Sequence, residues 1–470
     1  MKDWKNAHRE RGITMDKLKV SMVSFANAAL NIKWAQKQFR QSEEELSRLG
    51  HGSSLFSLFT FPEMILTMKQ TDKAIRALLE NDTDFLIVHT PVVPAVNQVM
   101  RAVEAVGKPV MVWANPEPPK EEWCSACSDA LGICAITQCS NILARMGYKF
   151  GWGYGTPQDK DVQEKFLVLC RIMRTLKYLH GSRIGVIGNR PAGFYGSSFD
   201  EIKLRRLLGI DTIYVDLLEL HMEMENLKAS KVKTLENKYR DKFTLRKGNT
   251  DQNLERSASI QLALENLVQK YELSGIAIKC LPDFAQYYNT APCFNVSQLT
   301  NQGIMVSCEA DVNGLVTMLF QYLLSGKPPF LADFVEMDEE NNTGFMWHCG
   351  QAPLCLAANQ EEVVLSNNYA QKTSIVVDFR LRAVQKATLA RLGIMNDDYR
   401  MLICPGETLL TSRKTGGTGV DFKPQKGNIR NLFDEIVEKH YEHHYSISFV
   451  DTEQELKGLC QWLDVKVDVV

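Results

Sequence analysis

The sequence predicts an α/β protein in which two doubly wound parallel-sheet N-terminal domains are followed by a β-rich C-terminal domain. From Lys19 onward, apolar strand-like runs alternate with amphipathic helical runs, which is the pattern of a parallel sheet with crossover helices. After Asn359, strand-like runs follow one another across short turns. A chain of 470 residues is also long enough for about three domains of ~150 residues each.

The first predicted domain, residues 1–155, opens with the strand-like run KVSMVSF and an amphipathic helix that ends at Gly50. The strands FLIVHTPV and PVMVWA follow, separated by the helix VNQVMRAVEAVG. Helices of this length between apolar strands are typical of crossover connections. This part of the chain therefore predicts the first parallel sheet.

Four of the 12 cysteines lie close together in this domain, at Cys124, Cys127, Cys134 and Cys139. The first pair is C-x-x-C, but the second is C-x4-C, which is a poor template for a zinc site. Alanine, serine and glycine lie between them. We interpret this stretch as a small-residue helix packed closely on a neighbour, and the cysteines of the chain as reduced.

The second predicted domain, residues 156–303, contains a long helix, the strand RIGVIG and a loop at residues 189–200. The glycines around this loop, Gly185, Gly188, Gly193 and Gly196, do not form G-x-G-x-x-G, and no acidic residue ends a strand at the required spacing. The sequence therefore predicts no nicotinamide or flavin cofactor. Two interpretations stay open for this loop: an ordinary turn, or a wall for a small polar ligand at the carboxyl edge of the sheet.

Bulk properties indicate a cytoplasmic protein without a nucleic-acid or membrane partner. The net charge is −2, so no strong field would attract phosphates or acidic lipids. No apolar run reaches the ~18 residues that a membrane-spanning helix needs, and the first residues lack the apolar segment of a signal peptide.

The candidate site lies around the start of the third predicted domain, residues 304–470. Asp283, Glu309 and Asp311 follow apolar, strand-like runs, and His348 ends another such run. A carboxylate at the end of a buried strand is costly unless a positive group meets it, and carboxylates with an imidazole suit a divalent cation. Taken singly, each acid is as well explained as a helix N-cap or turn former, and His348 as a satisfied core histidine.

A cluster of histidines lies near the C-terminus, at His440, His443 and His444. It is equally consistent with metal ligands and with an exposed polar patch. If HHYSISF is a strand, His443 and His444 face opposite sides of the sheet, so at most one of them would point at a given site.

With these residues in view, the chain resembles the L-fucose isomerase and L-arabinose isomerase family over nearly its whole length. GIMVSCEADVNGLVTMLFQYLLSGKPPFLADF is similar to the family's acidic E-x-D-x-x-G turn and the helix after it. GFMWHCGQAP resembles the segment that carries a metal histidine, and the H-x-x-x-H spacing of His440 and His444 is similar too. The resemblance implies two α/β domains and a β-rich domain, homo-oligomers that are commonly hexamers, and a Mn²⁺-like cofactor.

Carried over by residue, the resemblance implies that Glu309 or Asp311, His348 and His444 bind the ion, with His443 in reserve. Asp283 is the nearest acid to the family's second carboxylate, which is usually a glutamate, and it would complete the metal and catalytic set. We expect Asp283 and Glu309 (or Asp311) to flank the C1–C2 bond of the sugar. Other divalent cations, such as Zn²⁺ and Co²⁺, also suit these ligand types.

The predicted function is metal-dependent aldose–ketose isomerisation of a free deoxyhexose, pentose or modified hexose through an enediol. The alternative is a non-catalytic sugar-binding or regulatory protein on the same scaffold. A charged sugar is a further option, because several cations near the site, if they are not simply solvated, would meet an anionic substituent. These cations are Lys279, Arg190, Arg413 and Lys414.

Overall fold

The computed structural model describes residues 15–122, 129–246, 251–368, 374–413 and 416–470, with residue 251 described by its backbone alone. These residues fall into two compact units, Met15–Lys177 and Tyr178–Val470. Cys124, Cys127 and Lys414 lie outside the described residues. Within them, no helix is long and apolar enough to cross a membrane.

The unit Met15–Lys177 is built on one five-stranded parallel sheet in the order β2-β1-β3-β4-β5. The β3 and β4 strands are apolar runs whose residues are all buried, as expected for parallel strands covered on both faces. The strands are β1 Leu18–Ser24, β2 Phe56–Thr60, β3 Phe85–Thr90, β4 Val110–Ala114 and β5 Phe150–Tyr154. The helices are α1 Ile32–Gly50, α2 Met68–Glu80, α3 Val96–Val106, α4 Gly132–Arg145 and α5 Lys160–Leu179, which runs into the next unit.

The unit Tyr178–Val470 begins with a four-stranded parallel sheet in the order β10-β9-β6-β7. Its strands are β6 Arg183–Ile187, β7 Asp211–Val215, β9 Leu273–Ile278 and β10 Met305–Ser307. Its helices are α6 Glu201–Leu208, α7 Leu217–Glu225, α8 Ala229–Lys242, α9 Asp251–Tyr271, α10 Asp283–Tyr288, α11 Cys293–Asn301 and α12 Val312–Ser325. The carboxyl ends of β6, β9 and β10 therefore lie side by side at one edge of this sheet.

The rest of this unit is a ten-stranded mixed sheet in the order β19-β16-β15-β18-β11-β12-β17-β14-β13-β8. Its strands are β8 Thr244–Leu245, β11 Phe330–Asp338, β12 Thr343–His348, β13 Val364–Asn367, β14 Ile375–Arg380, β15 Val384–Met395, β16 Asp398–Leu409, β17 Thr418–Pro424, β18 His444–Ser448 and β19 Lys466–Val469. Its helices are α13 Ile429–Glu438 and α14 Glu453–Leu463. Because β16 also pairs with β17, six of the strands close into a ring, β16-β15-β18-β11-β12-β17.

Short 3-10 turns complete the described elements, at Lys120–Glu122, Tyr195–Ser197, Leu354–Leu356 and Gln360–Glu362. The fold class predicted from the sequence is confirmed: parallel-sheet α/β regions precede a β-rich mixed sheet.

Candidate metal and catalytic site

The acidic turn after β10 has an unusual backbone. Glu309 and Ala310 both have left-handed φ angles, +59° and +53°, a conformation that costs roughly 1–3 kcal/mol for each non-glycine residue. The turn is fixed by the Ala310 amide, which donates to the carbonyl of Ile278 at the end of β9 (3.0 Å). This backbone holds the Glu309 side chain at the carboxyl edge of the parallel sheet.

Asp311 begins α12 as its N-cap, and its Oδ1 accepts a hydrogen bond from the Gly314 amide at 2.9 Å. The N-cap interpretation is therefore correct for this residue. Asp311 is also buried and pairs with the fully buried Arg391, whose Nη1 lies 2.5 Å from Oδ2. A Cβ at position 314 would lie 2.5 Å from Oδ2 and 3.0 Å from Nη1, so only glycine allows this close approach.

The same carboxylate orients His444, the first residue of β18. Oδ2 of Asp311 lies 2.9 Å from Nδ1 of His444. Burial raises the pKa of Asp311, but Arg391 and His444 outweigh burial and hold this pKa well below its usual range. Because Asp311 is ionised, Nδ1 of His444 carries the proton and donates, which leaves the Nε2 lone pair available.

The Nε2 atom of His444 is buried and has no hydrogen-bond partner within the described residues. It faces two carboxylates, with Oε2 of Glu309 at 3.6 Å and Oδ1 of Asp333 at 3.7 Å. Asp333 is the direct cross-strand partner of His444 in the antiparallel β11–β18 pair, and such partners lie close together on one face of a sheet. Sheet register thus brings Asp333 to the site.

His348, at the end of β12, is buried beside this group. Its ring centroid lies 5.5 Å from that of His444, and its own buried Nε2 also has no partner within the described residues. Burial lowers the pKa of His348, but the Cys349 thiolate, Asp333 and Glu309 outweigh it and raise this pKa to about 10. The surroundings of His348 therefore favour a positive charge.

His443 reaches the site as well, from the residue before β18. Its Nε2 lies 3.1 Å from Oε2 of Glu309, and this hydrogen bond raises the pKa of His443. The expectation that at most one of His443 and His444 would point at a given site was wrong. Because β18 begins only at His444, the alternation of a strand does not apply to His443, and both rings approach Glu309.

The ligand atoms form overlapping groups that are close enough to hold a metal ion. One group is Glu309, His443 and His444, and another is Asp333, His348 and His444; within each, the ligand atoms lie within 4.8 Å of one another. A third group adds Cys280 and Cys308 to Glu309. Glu309 and His348 thus each share a group with His444, although neither group contains both of them.

Two residues of the expected set belong to none of these groups. Asp283 begins α10 and pairs with Lys279 at 2.7 Å, and it belongs to none of these groups. Asp311 contacts His444 but is also outside them, because Arg391 and the N-cap occupy its oxygens. His440 lies in the turn after α13 with φ +58° and is in none of the groups either.

Sequence reasoning missed Asp333. One signal was present: a single acid inside the otherwise apolar run FLADF is costly to bury without a partner. Cys280 and Cys308 were not singled out either, although their sulfur atoms lie 3.1 Å apart beside Glu309.

Comparison with known proteins adds a consistent set of relatives. Each of these is named sulfoquinovose isomerase. The relative from Priestia aryabhattai is 28% identical over 414 residues, which cover 87% of this chain and 90% of its own. The relative from Alkalicoccus urumqiensis is 26% identical over 455 residues, 96% of this chain and 99% of its own. The relative from Clostridium sp. (strain MSTE9) is 24% identical over 364 residues, which cover 77% of this chain and 80% of its own. No protein-family model matches the chain.

Proposed function

We propose that this chain is a metal-dependent aldose–ketose isomerase that acts on a sulfonated hexose. One observation carries the proposal: two buried imidazole nitrogens, Nε2 of His348 and of His444, have no partner within the described residues and lie in a group with Asp333. Buried polar atoms are nearly always satisfied, so two such atoms beside carboxylates call for a cation.

The enzyme class rests on the relatives. They bear the name of a sugar isomerase over 77–96% of this chain, which confirms the prediction of an aldose–ketose isomerase, an intramolecular oxidoreductase. The same name supports a modified monosaccharide as the substrate. That the sugar carries a sulfonate, and that the reaction passes through an enediol, are our proposals.

We assign the ion to Glu309, Asp333, His348 and His444. Two carboxylates and two imidazoles are a mixed oxygen and nitrogen set that suits Mn²⁺, and Zn²⁺ or Co²⁺ fit the same ligand types. Cys349, then Asp333 and Glu309, raise the pKa of His348 against burial, so the two carboxylates contribute to surroundings that favour a positive charge. The residues present therefore fit the ion that the resemblance implies.

Residues of the chain transfer the proton and position the metal ligands. A divalent ion held here would polarise the sugar oxygens and stabilise negative charge that develops on them. Glu309 takes the proton from C2 and returns it to C1, and its hydrogen bond to His443 holds Oε2 in place for both transfers. Asp311 is a positioning residue: it keeps the proton of His444 on Nδ1.

This assignment differs from the initial expectation at two positions, because Asp311 positions His444 and Asp283 is replaced. Asp333 takes the place that was expected for Asp283, because Asp333 lies 3.7 Å from His444 and Asp283 pairs with Lys279. The role of Asp283 is tested directly by substitution, as described in the Discussion.

Assembly and location are further proposals. From the resemblance, we propose a homo-oligomer, with a hexamer favoured, and a cytoplasmic location. A monomer in analytical ultracentrifugation would contradict the first, and secretion of the tagged protein would contradict the second.

The test of function is conversion of aldose to ketose by the Mn²⁺-loaded protein, followed by ¹³C NMR. The panel is sulfoquinovose, L-fucose, D-arabinose and L-arabinose. We expect a ketose from sulfoquinovose and little or none from the neutral sugars. Binding of sulfoquinovose without turnover would favour the alternative, a non-catalytic sugar-binding protein, and turnover of a neutral sugar alone would overturn the sulfonated substrate.

A further inference from the structure

The carboxyl edge of the four-stranded sheet presents three neighbouring strand ends. Glu309 follows β10, Lys279 follows β9, and a loop at residues 188–198 that contains Arg190 follows β6. Adjacent strands lie about 4.8 Å apart, so the ends of β10 and β6 are separated by roughly 10 Å. That separation is comparable with the length of an extended hexose that carries a substituent on its sixth carbon.

The loop after β6 also returns to the metal and catalytic residues. The ring of Phe194 packs edge-on against His443 with 6.2 Å between centroids. A Cβ at Gly196 would lie 3.6 Å from Glu442 and 3.7 Å from Nδ1 of His443, so the loop backbone is in contact range of the histidine that holds Glu309. The loop is therefore a wall of the site.

Arg190 differs from the other cations near the site in its ion pairing with acidic side chains. Lys279 is neutralised by Asp283, and Arg413 by Glu336 and Asp421. The Arg190 side chain is partly buried, its Nη1 donates to the carbonyl of Pro191 at 3.4 Å, and its guanidinium stacks at 4.7 Å on the exposed ring of Tyr195. No acidic partner is found for it in the part of the chain that the structure describes.

We propose that Arg190 forms an anion-binding subsite that receives the sulfonate of the sugar. The subsite rests on the proposed function, because it places C1 and C2 at Glu309 and the sixth carbon toward the β6 loop. The planar guanidinium fork matches two oxygens of a sulfonate, as it does for carboxylate and phosphate. Stacking on Tyr195 restricts the side chain before the ligand arrives, which lowers the entropic cost of binding.

The experiment compares Arg190→Gln and Arg190→Lys with a matched control, Arg183→Gln. Arg183 lies at the opposite end of the same strand, is exposed and pairs with Glu272, so its substitution removes the same charge away from the site. Two quantities are measured on Mn²⁺-loaded protein: KM and kcat for ketose formation, and the Kd for sulfoquinovose by calorimetry. Both are repeated with quinovose, the same sugar without the sulfonate.

We expect Arg190→Gln to raise KM and Kd for sulfoquinovose by about tenfold to a hundredfold, the scale of a charge-assisted hydrogen bond. Arg190→Lys should retain part of the affinity, the values for quinovose should stay within about twofold, and Arg183→Gln should behave as the unaltered protein. Equal losses for both sugars, an equal effect of Arg183→Gln, or no effect at all would overturn the subsite.

Failure of the proposed function is distinguishable from failure of the subsite. If the unaltered protein binds sulfoquinovose without turnover, the isomerase is contradicted while the Kd of Arg190→Gln still decides the subsite. If the unaltered protein binds sulfoquinovose no more tightly than quinovose, there is no anion subsite, and the proposal for Arg190 fails whether or not a sugar is isomerised.

Discussion

Oδ2 of Asp311 lies 2.9 Å from Nδ1 of His444, and Nη1 of Arg391 lies 2.5 Å from the same oxygen. All three side chains are buried. The arginine keeps the carboxylate ionised, the carboxylate keeps the proton of His444 on Nδ1, and Nε2 is left as a lone pair toward Glu309 and Asp333. We therefore propose that Asp311, which was expected to be a metal ligand or a catalytic acid, instead positions a metal ligand.

We therefore expect Asp311→Asn to weaken Mn²⁺ binding by about tenfold to a hundredfold, the usual cost of losing the partner of a metal-bound histidine. The measurement is a Mn²⁺ titration by electron paramagnetic resonance. The control is Asp468→Asn, which alters a carboxylate that accepts from Arg400 and Tyr441 away from the site. Unchanged affinity in Asp311→Asn would contradict the positioning role.

Glu309 and Asp283 have different surroundings, so we expect their substitutions to have different effects on activity. We expect Glu309→Gln to lower kcat by at least about a thousandfold, because proton transfer by a positioned group contributes roughly 10²–10⁴-fold and this residue is also a proposed metal ligand. Asp283→Asn should retain activity within about tenfold, since its carboxylate pairs with Lys279. The measurement is the initial rate of ketose formation. A larger loss of activity in Asp283→Asn than in Glu309→Gln would indicate that Asp283 is the base.

The three histidines at the site should respond differently to replacement by glutamine. His348→Gln and His444→Gln remove a buried nitrogen that has no other partner within the described residues, and we expect both to lose bound Mn²⁺. His443 is half-exposed and contacts Glu309, so His443→Gln should keep the metal and lower kcat. Metal content by mass spectrometry tests which variants lose the ion. Loss of the ion only in His443→Gln would contradict the assignment of His348 and His444 as ligands.

The sequence predicted the architecture well because the architecture depends on patterns within single segments. Fully apolar runs such as β3 and β4 are buried on both faces, and that property is visible in the run itself. The same holds for His348, which ends an apolar strand, and for Glu309, which follows one at the carboxyl edge of a parallel sheet. The alternation of strands and helices was then enough to predict the parallel sheets without any knowledge of their contacts.

What the sequence could not reveal depends on register between distant strands. Asp333 meets His444 only because β11 pairs with β18 in one particular register, across more than a hundred residues. Arg391 reaches Asp311 from β15 across 80 residues. His443 was misjudged for a local reason: a strand that begins one residue later changes the direction of its side chain.

A buried histidine in the unit Met15–Lys177 predicts a pH dependence of stability. His89 is fully buried, and burial lowers its pKa from 6.5 to about 4, although Asn115 accepts a hydrogen bond from its ring. Between these values the unfolded chain binds a proton that the folded chain does not, so stability falls as the pH falls from 6.5 towards 4. The loss is about 3 kcal/mol over that range.

The measurement is the free energy of unfolding of this protein and of His89→Gln, at several pH values from 7 to 4. The advantage of the unaltered protein over the variant should shrink by about 3 kcal/mol across that range. His51→Gln, at an exposed histidine of the same unit, is the control and should show far less change. A constant difference between the unaltered protein and His89→Gln would contradict the prediction.

The most direct test of the account measures bound metal and isomerase activity on the same sample. The protein is assayed with sulfoquinovose as purified, after removal of divalent ions with EDTA, and after titration with Mn²⁺. We predict that activity disappears with EDTA and returns in proportion to bound Mn²⁺, with full activity at one ion per chain. Full turnover by a sample shown to contain no divalent ion would contradict the central claim.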